Sequence, residues 1–196
     1  MRDYLYVWHE PQARRVVASG VEFRDVVPGL LNTGGIVLLR HQFDEASFEP
    51  RNRLEFVPAE NLTRLAADDV YGYGDFCWAD FGRGVSLADL EDSAVAALTF
   101  FAHAARPLGD VPVPGLGNRL LCHAHDDGWY TRFFYTRWDA IGSLLEELLA
   151  RLLDEPQVMA TRDVLQRGEA AFWCRKGSVV ECERTEDIDT LLHKHL

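Results

Sequence analysis

The spacing of apolar residues predicts two long amphipathic helices. Within residues 86–105, apolar side chains recur at steps of three or four, which places them along one stripe of a helix. Residues 139–154 repeat this spacing with a row of leucines, and Pro156 lies directly beyond it, where a helix is expected to end. Each stripe needs an apolar surface to cover, so both helices are expected to pack against a sheet.

Short runs rich in β-branched and aromatic residues predict strands, and most of these runs are arranged as hairpins. They cover residues 4–9, 14–27, 36–41, 54–57, 75–81, 118–138 and 169–184, with the 14–27 hairpin turning at Ser19-Gly20. Hairpins separated by helices are typical of an α+β fold with a mostly antiparallel sheet. We therefore expect such a sheet, with the helices at about 86–105 and 139–154 packed on one of its faces.

The same pattern predicts a single domain over residues 1–196. A Pro- and Gly-rich stretch at 107–117 is expected to be a surface loop, and it is the place where a weak subdivision of the domain would fall. The sequence contains no apolar run of the length that a membrane helix needs. Its N-terminus lacks the basic start and apolar core of a signal peptide, so we expect a cytoplasmic protein.

The net charge of the chain limits the classes of partner that it is expected to bind. The chain has 31 acidic and 20 basic residues, which gives a formal net charge of −11. Because phosphate groups are bound by basic surfaces, neither a nucleic acid nor an anionic membrane is an expected partner. Long-range attraction favours a basic protein, and a small polar ligand is the other partner that the composition allows.

The hairpin at 118–138 carries the residue types best suited to chemistry. Its strands are predicted to join at Asp126-Asp127-Gly128, and His123 and His125, two positions apart, are predicted to share a face. One histidine could act as a general base that Asp126 or Asp127 orients. Two registers are open: His125 faces Trp129 if Asp126, Asp127 and Gly128 form the loop, and Tyr130 if only Asp127 and Gly128 do.

A metal site is a second interpretation of this hairpin. Two imidazoles on one strand face can bind a metal ion when carboxylates from neighbouring elements complete the shell, and such an ion could activate water. The candidate ligands are His123, His125, Asp75, Asp80 and His103. A His-x-His pair also occurs in ordinary hairpins with packed histidines. No cofactor is therefore favoured, and a divalent metal stays an open alternative.

Aromatic residues near this hairpin could form a surface for a ligand or a partner. The candidates for that surface are Tyr73, Trp78, Trp129, Tyr130 and Tyr135. The sequence contains neither a complete dinucleotide-binding glycine pattern nor a Gly-x-Ser-x-Gly elbow. We therefore expect a non-enzymatic binding domain for a basic partner or a polar ligand. The alternative is a small metal- or His/Asp-dependent, hydrolase-like enzyme with its site at the 118–138 hairpin.

Overall fold

The computed structural model describes residues 3–39, 50–67, 75–86, 88, 90–125, 130–168 and 170–185. Within these ranges the chain forms nine strands and five α-helices. In chain order they are β1 (Tyr4–Glu10), β2 (Arg15–Ser19), α1 (Phe23–Leu30), β3 (Gly35–Leu39), β4 (Leu54–Pro58), α2 (Leu62–Leu65), β5 (Phe76–Phe81), α3 (Asp92–Ala104), β6 (Leu120–Ala124), β7 (Thr131–Tyr135), α4 (Trp138–Ala150), α5 (Glu155–Arg167), β8 (Ala171–Arg175) and β9 (Ser178–Cys182).

All nine strands belong to one sheet in the order β4-β3-β5-β6-β7-β2-β1-β8-β9. Every neighbouring pair is antiparallel. The predicted α+β fold with an antiparallel sheet is therefore confirmed. Among the described residues, no helix has the length and apolar character needed to cross a membrane.

One face of the sheet is covered by α1, α4 and α5. Alternate residues of the strands point to this face, because side chains alternate along a strand. Ile36 of β3, Trp78 of β5 and Phe133 of β7 are buried there in one apolar cluster with the leucine stripe of α4. Each fully buried leucine of that stripe contributes roughly 1.5–3 kcal/mol, so this layer is a major source of stability.

The opposite face is covered by α3 over β3, β5, β6 and β7. Val37, Leu121 and Phe134 are buried beneath this helix, and the Phe101 ring meets Phe134 edge to face at 5.8 Å. The expectation that helices at 86–105 and 139–154 share one face is therefore wrong. The central strands carry apolar residues at both odd and even positions, so both faces must be covered.

A further correction concerns residues 14–27, which do not form a hairpin. Arg15–Ser19 is a strand that pairs with β1 and β7, and the chain then enters α1 at Phe23. The helix buries residues 23, 26, 27 and 30, which lie on one helical stripe. Glu22 and Asp25 form a reciprocal capping box at its start, which stabilises a helix despite Pro28.

Candidate functional site

The hairpin of β6 and β7 has one of the two registers that the sequence left open. His123 faces Arg132, and the His125 backbone N–H donates to the Tyr130 carbonyl at 2.9 Å. His125 therefore faces Tyr130 and not Trp129. The candidate residues Asp126, Asp127, Trp129 and Tyr73 lie outside the described residues.

The sheet brings Asp75 against His123. Strand β5 pairs with β6 so that Cys77 faces His123, and Asp75 lies just before β5. Its Oδ2 is 3.4 Å from His123 Nε2; the imidazole side chain is only 4% exposed, whereas the carboxylate side chain is 35% exposed. A carboxylate in this position can orient an imidazole and stabilise its protonated form. Burial, followed by the nearby Asp75 charge, raises the pKa of the Cys77 thiol, which keeps it protonated.

His125 lies in a different environment although it shares the sheet face with His123. It is exposed, and its ring stacks on Tyr130 with the ring centroids 5.0 Å apart. The Arg132 guanidinium lies 4.7 Å from the centroid of the same ring. Tyr130 therefore holds two cationic or ionisable side chains at the surface of the hairpin. Within the described residues, the His123 side chain is therefore buried whereas the His125 side chain is exposed.

Asp80 does not belong to this cluster. It lies on β5 an odd number of residues from Cys77, so its side chain points to the face opposite His123. The carboxylate is 1% exposed and accepts hydrogen bonds from the backbone N–H of Arg119 at 2.7 Å and of Leu120 at 2.6 Å. Arg119 Nε donates to its second oxygen at 3.0 Å. The prediction that Asp80 joins His123 in a metal shell is therefore wrong.

His103 is exposed in the last turn of α3. Among the residues that the structure describes, no group of three or more His, Cys, Asp or Glu side chains is arranged to hold a metal ion. Asp75 and His123 are thus the candidate ligands that the structure shows in mutual contact. The metal hypothesis stays a prediction, because Asp126 and Asp127 fall outside the described ranges.

Two of the aromatic candidates lie in the protein interior. Trp78 is buried in the core between β5 and α1, where its ring meets Phe23 edge-on. Tyr135 is also buried, and its hydroxyl is 2.6 Å from His9 Nε2. Neither side chain contributes to an exposed surface. Tyr130 is the aromatic candidate that the structure places at a partly exposed position.

A second candidate site, which the sequence did not reveal, lies where three adjacent strands meet the loops. The loop that leads into β3 and the ends of β4 and β5 surround an open cavity of about 790 Å³. Phe56 and Phe81 form an aromatic floor, with their ring centroids 4.9 Å apart. This cavity is not predicted by the sequence pattern, although two glycines, Gly34 and Gly84, are among its lining residues.

Backbone hydrogen bonds fix the walls of this cavity. The Gly34 N–H donates to the Phe81 carbonyl at 2.8 Å, and the Ala59 N–H donates to the Gly34 carbonyl at 3.1 Å. A Cβ atom at Gly34 would lie 2.6 Å from the Phe81 ring, so only glycine permits this close approach. The cavity is therefore preformed by the sheet and its loops.

Two opposite charges lie at the cavity. Glu60 follows β4 and Arg83 follows β5, and both residues are exposed. Strand β3 runs between β4 and β5, so the backbones of those two strands are about 10 Å apart. Within the described part of the chain, neither side chain forms an ion pair or a side-chain hydrogen bond. Both charges are therefore available to a ligand.

Comparison with known proteins finds no matching protein family, no matching curated protein and no matching solved structure. The functional interpretation therefore depends on the two sites just described, the Asp75–His123 pair and the cavity at Phe56 and Phe81.

Proposed function

We propose that this protein is a non-enzymatic binding domain whose small polar ligand occupies the cavity at the ends of β3, β4 and β5. The observation that carries this proposal is the aromatic floor of Phe56 and Phe81 between two charges that form no ion pair with any residue that the structure describes. Ligand sites in proteins are concave, mostly apolar and supplied with a few polar groups that fix orientation. The cavity of about 790 Å³ lies within the usual range of such sites.

The residues around the cavity support binding better than catalysis. Its described lining includes neither a histidine nor a cysteine, and the Thr33 hydroxyl already donates to the Leu30 carbonyl at 2.7 Å. The Arg83 guanidinium can attract and orient a negative group of a ligand. These groups can orient and hold a ligand, which is the task of a binding domain.

A fragment screen on ¹⁵N-labelled protein tests this proposal. The probes are single-ring aromatic compounds in neutral, anionic, cationic and zwitterionic forms. We expect at least one class to shift the amide resonances of Gly34, Phe56 and Arg83 in a saturable way. Phe56→Leu, which removes the aromatic floor but keeps an apolar side chain, should weaken that binding at least threefold, by roughly 0.7 kcal/mol.

Phe100→Leu is the matched control, because Phe100 lies on α3 and does not line the cavity. It should leave fragment affinity unchanged. A screen in which no probe moves the cavity amides, or in which the shifts gather at His125 and Tyr130, would reject the cavity as the binding site.

A second candidate function is favoured by the 3.4 Å contact between Asp75 and His123. In this second function the chain would act as a His/Asp-dependent hydrolase. His123 would take a proton from water, and Asp75 would orient the imidazole. The exposed His125 beside Tyr130 would then meet the substrate. This function requires an opening that lets water reach His123.

Hydrolysis of 4-nitrophenyl acetate distinguishes the two functions. If the hydrolase function is correct, His123→Gln should lower the rate by about a hundredfold or more, and Asp75→Asn should lower it less. His103→Gln is the control, since His103 is exposed on α3. Equal rates in all four proteins would exclude this function. An unchanged melting temperature on addition of Zn²⁺ would exclude its metal-dependent form.

A further inference from the structure

We infer that the ligand of the cavity is a small aromatic zwitterion, a molecule with an ammonium group, a carboxylate group and an aromatic ring. This inference rests on the proposed binding function and specifies its ligand. The cavity presents a negative side chain on one wall, a positive side chain on the other and aromatic rings between them. A zwitterion with an aromatic body complements all three features at once.

The charges determine which ligands are disfavoured. A simple anion would be attracted by Arg83 and repelled by Glu60, and the net charge of −11 would add to that repulsion. A simple cation would be attracted by Glu60 and repelled by Arg83. A ligand with both charges pairs with both walls, so it gains two charge-assisted contacts without an opposing one.

The strand order keeps the two charges apart. Glu60 follows β4 and Arg83 follows β5, and because β3 lies between these two strands, the strand backbones are about 10 Å apart. A ligand between them must carry its own charges on opposite sides. Free aromatic amino acids and short peptides with an aromatic residue share this chemistry. Their charge separations differ, because each added residue lengthens an extended peptide by about 3.3–3.6 Å.

The aromatic floor favours a ring over an aliphatic chain. Phe56 is partly exposed in the cavity and Phe81 is buried behind it, with the ring planes inclined at 42°. Aromatic rings pack at such inclined or offset angles, so a third ring can join this pair without displacing either. Exposed polar groups of the ligand then remain near the charged walls.

Calorimetric titration with four probes tests the inference. The probes are L-tryptophan, N-acetyl-L-tryptophan, L-tryptophan amide and the dipeptide Ala-Trp, at a mildly acidic pH that keeps the amines charged. We expect L-tryptophan or Ala-Trp to bind about tenfold more tightly than either singly charged derivative. The comparison of L-tryptophan with Ala-Trp separates a free amino acid from a peptide.

Charge-removing variants assign each group of the ligand. Glu60→Gln should weaken binding of the zwitterions and the amide about tenfold, and should strengthen binding of the N-acetyl derivative, whose carboxylate Glu60 repels. Arg83→Gln should weaken binding of the zwitterions and the N-acetyl derivative, and should strengthen binding of the amide, whose ammonium group Arg83 repels. Glu181→Gln on β9 and Arg106→Gln after α3 are exposed controls outside the cavity, and they should change nothing.

The results separate failure of the inference from failure of the proposed function. If neutral or singly charged probes shift the cavity amides as strongly as the zwitterions do, the ligand class is wrong and the binding function stands. If no probe, fragment or peptide shifts those amides, the binding function itself fails. Spectra of the unliganded variants should match the wild type, because both Glu60 and Arg83 are exposed.

Discussion

Replacement of Asp80 by alanine is expected to lower the free energy of unfolding by about 2–4 kcal/mol. The substitution removes a buried carboxylate that accepts hydrogen bonds from two backbone N–H groups and from Arg119. The Leu120 N–H is buried and would lose its partner, which carries the full cost of desolvation. Arg119 is 42% exposed and can be solvated by water, so the loss should stay below that of a fully buried ion pair.

Asp80→Asn distinguishes the contribution of the negative charge to stability from that of the hydrogen bonds. Its amide oxygen can still accept from the Arg119 and Leu120 backbone N–H groups, whereas its NH₂ group would oppose Arg119 Nε. The expected loss is about 1–2 kcal/mol, less than that of the alanine variant. Urea unfolding of both variants measures the difference. Asp3→Ala, at an exposed carboxylate, is the control and should change stability by less than about 0.5 kcal/mol.

The difference in stability between the wild type and Asp80→Asn should change with pH in one direction. Burial raises the pKa of Asp80 above its ordinary value, despite the opposing hydrogen bonds from Leu120 and Arg119. A raised carboxyl pKa in the native state means that its contribution is largest at low pH and is lost as the pH rises through the native pKa. The stability advantage of the wild type over Asp80→Asn should therefore be larger near pH 4 than at pH 7. An advantage that grows with pH would contradict this assignment.

The alternation of side chains along a strand shows, from the sequence alone, that only one of two carboxylates can lie beside His123. Asp75 and Asp80 are five residues apart in one predicted strand, so they must point to opposite faces, and both cannot meet His123. Which of them approaches His123 depends on the pairing of β5 with β6, and those strands are about 40 residues apart in the chain. Local periodicity does not encode such pairing. The sequence therefore limits the candidate site to one carboxylate of the two without identifying the partner strand.

For the helices as well, the sequence predicts the local element but not its position in the fold. The leucine stripe predicted for residues 139–154 is confirmed as α4, Trp138–Ala150, because helical periodicity is a local property. The face that each helix covers is not local, and α3 and α4 lie on opposite sides of the sheet. Helix α1 was missed because its valines and the preceding Ser19-Gly20 resemble a hairpin, although residues 23, 26, 27 and 30 have helical spacing.

The cavity was beyond sequence analysis for a related reason. Its walls come from β4, from β5 and from the loop that leads into β3, and the strand order places β4 and β5 on either side of β3. Glycines at 34 and 35 are visible in the sequence, yet nothing local shows that Phe81 packs against Gly34. Glu60 and Arg83 are ordinary charged residues until the sheet places them on facing walls. Their importance depends wholly on that arrangement.

Replacement of His9 by phenylalanine is expected to lower the free energy of unfolding by about 2–3 kcal/mol at pH 7.5. His9 is 1% exposed; its Nδ1 is 2.6 Å from the Leu165 carbonyl oxygen and its Nε2 is 2.6 Å from the Tyr135 hydroxyl. A carbonyl only accepts, so Nδ1 donates to Leu165 and Nε2 accepts from Tyr135. Phenylalanine would leave the Tyr135 hydroxyl buried without this hydrogen bond, and the Leu165 carbonyl would keep only the bond from the Gly168 N–H at 2.9 Å.

The same histidine should make the protein sensitive to acid. Burial is the main cause that lowers the pKa of His9 below 6.5, and the Leu165 hydrogen bond and the charge of Glu10 oppose it. As the pH falls below 6.5, the unfolded chain takes up a proton that the native imidazole resists. The stability that neutral His9 contributes is present above that pH and is lost as the pH falls through the native pKa. The slope cannot exceed about 1.4 kcal/mol per pH unit for one proton.

Urea unfolding between pH 7.5 and 5.5 measures this contribution. The wild type and His103→Gln should lose stability in parallel, because His103 is exposed and its removal leaves His9 in place. His9→Phe should be less stable throughout but should lose less as the pH falls. Tyr135→Phe added to His9→Phe should cost less than the two single losses combined, since replacing both partners removes the unpaired hydroxyl. If His9→Phe and the wild type have the same pH slope, another group controls the acid response, and the buried His9–Tyr135 pair contributes only packing and hydrogen bonds.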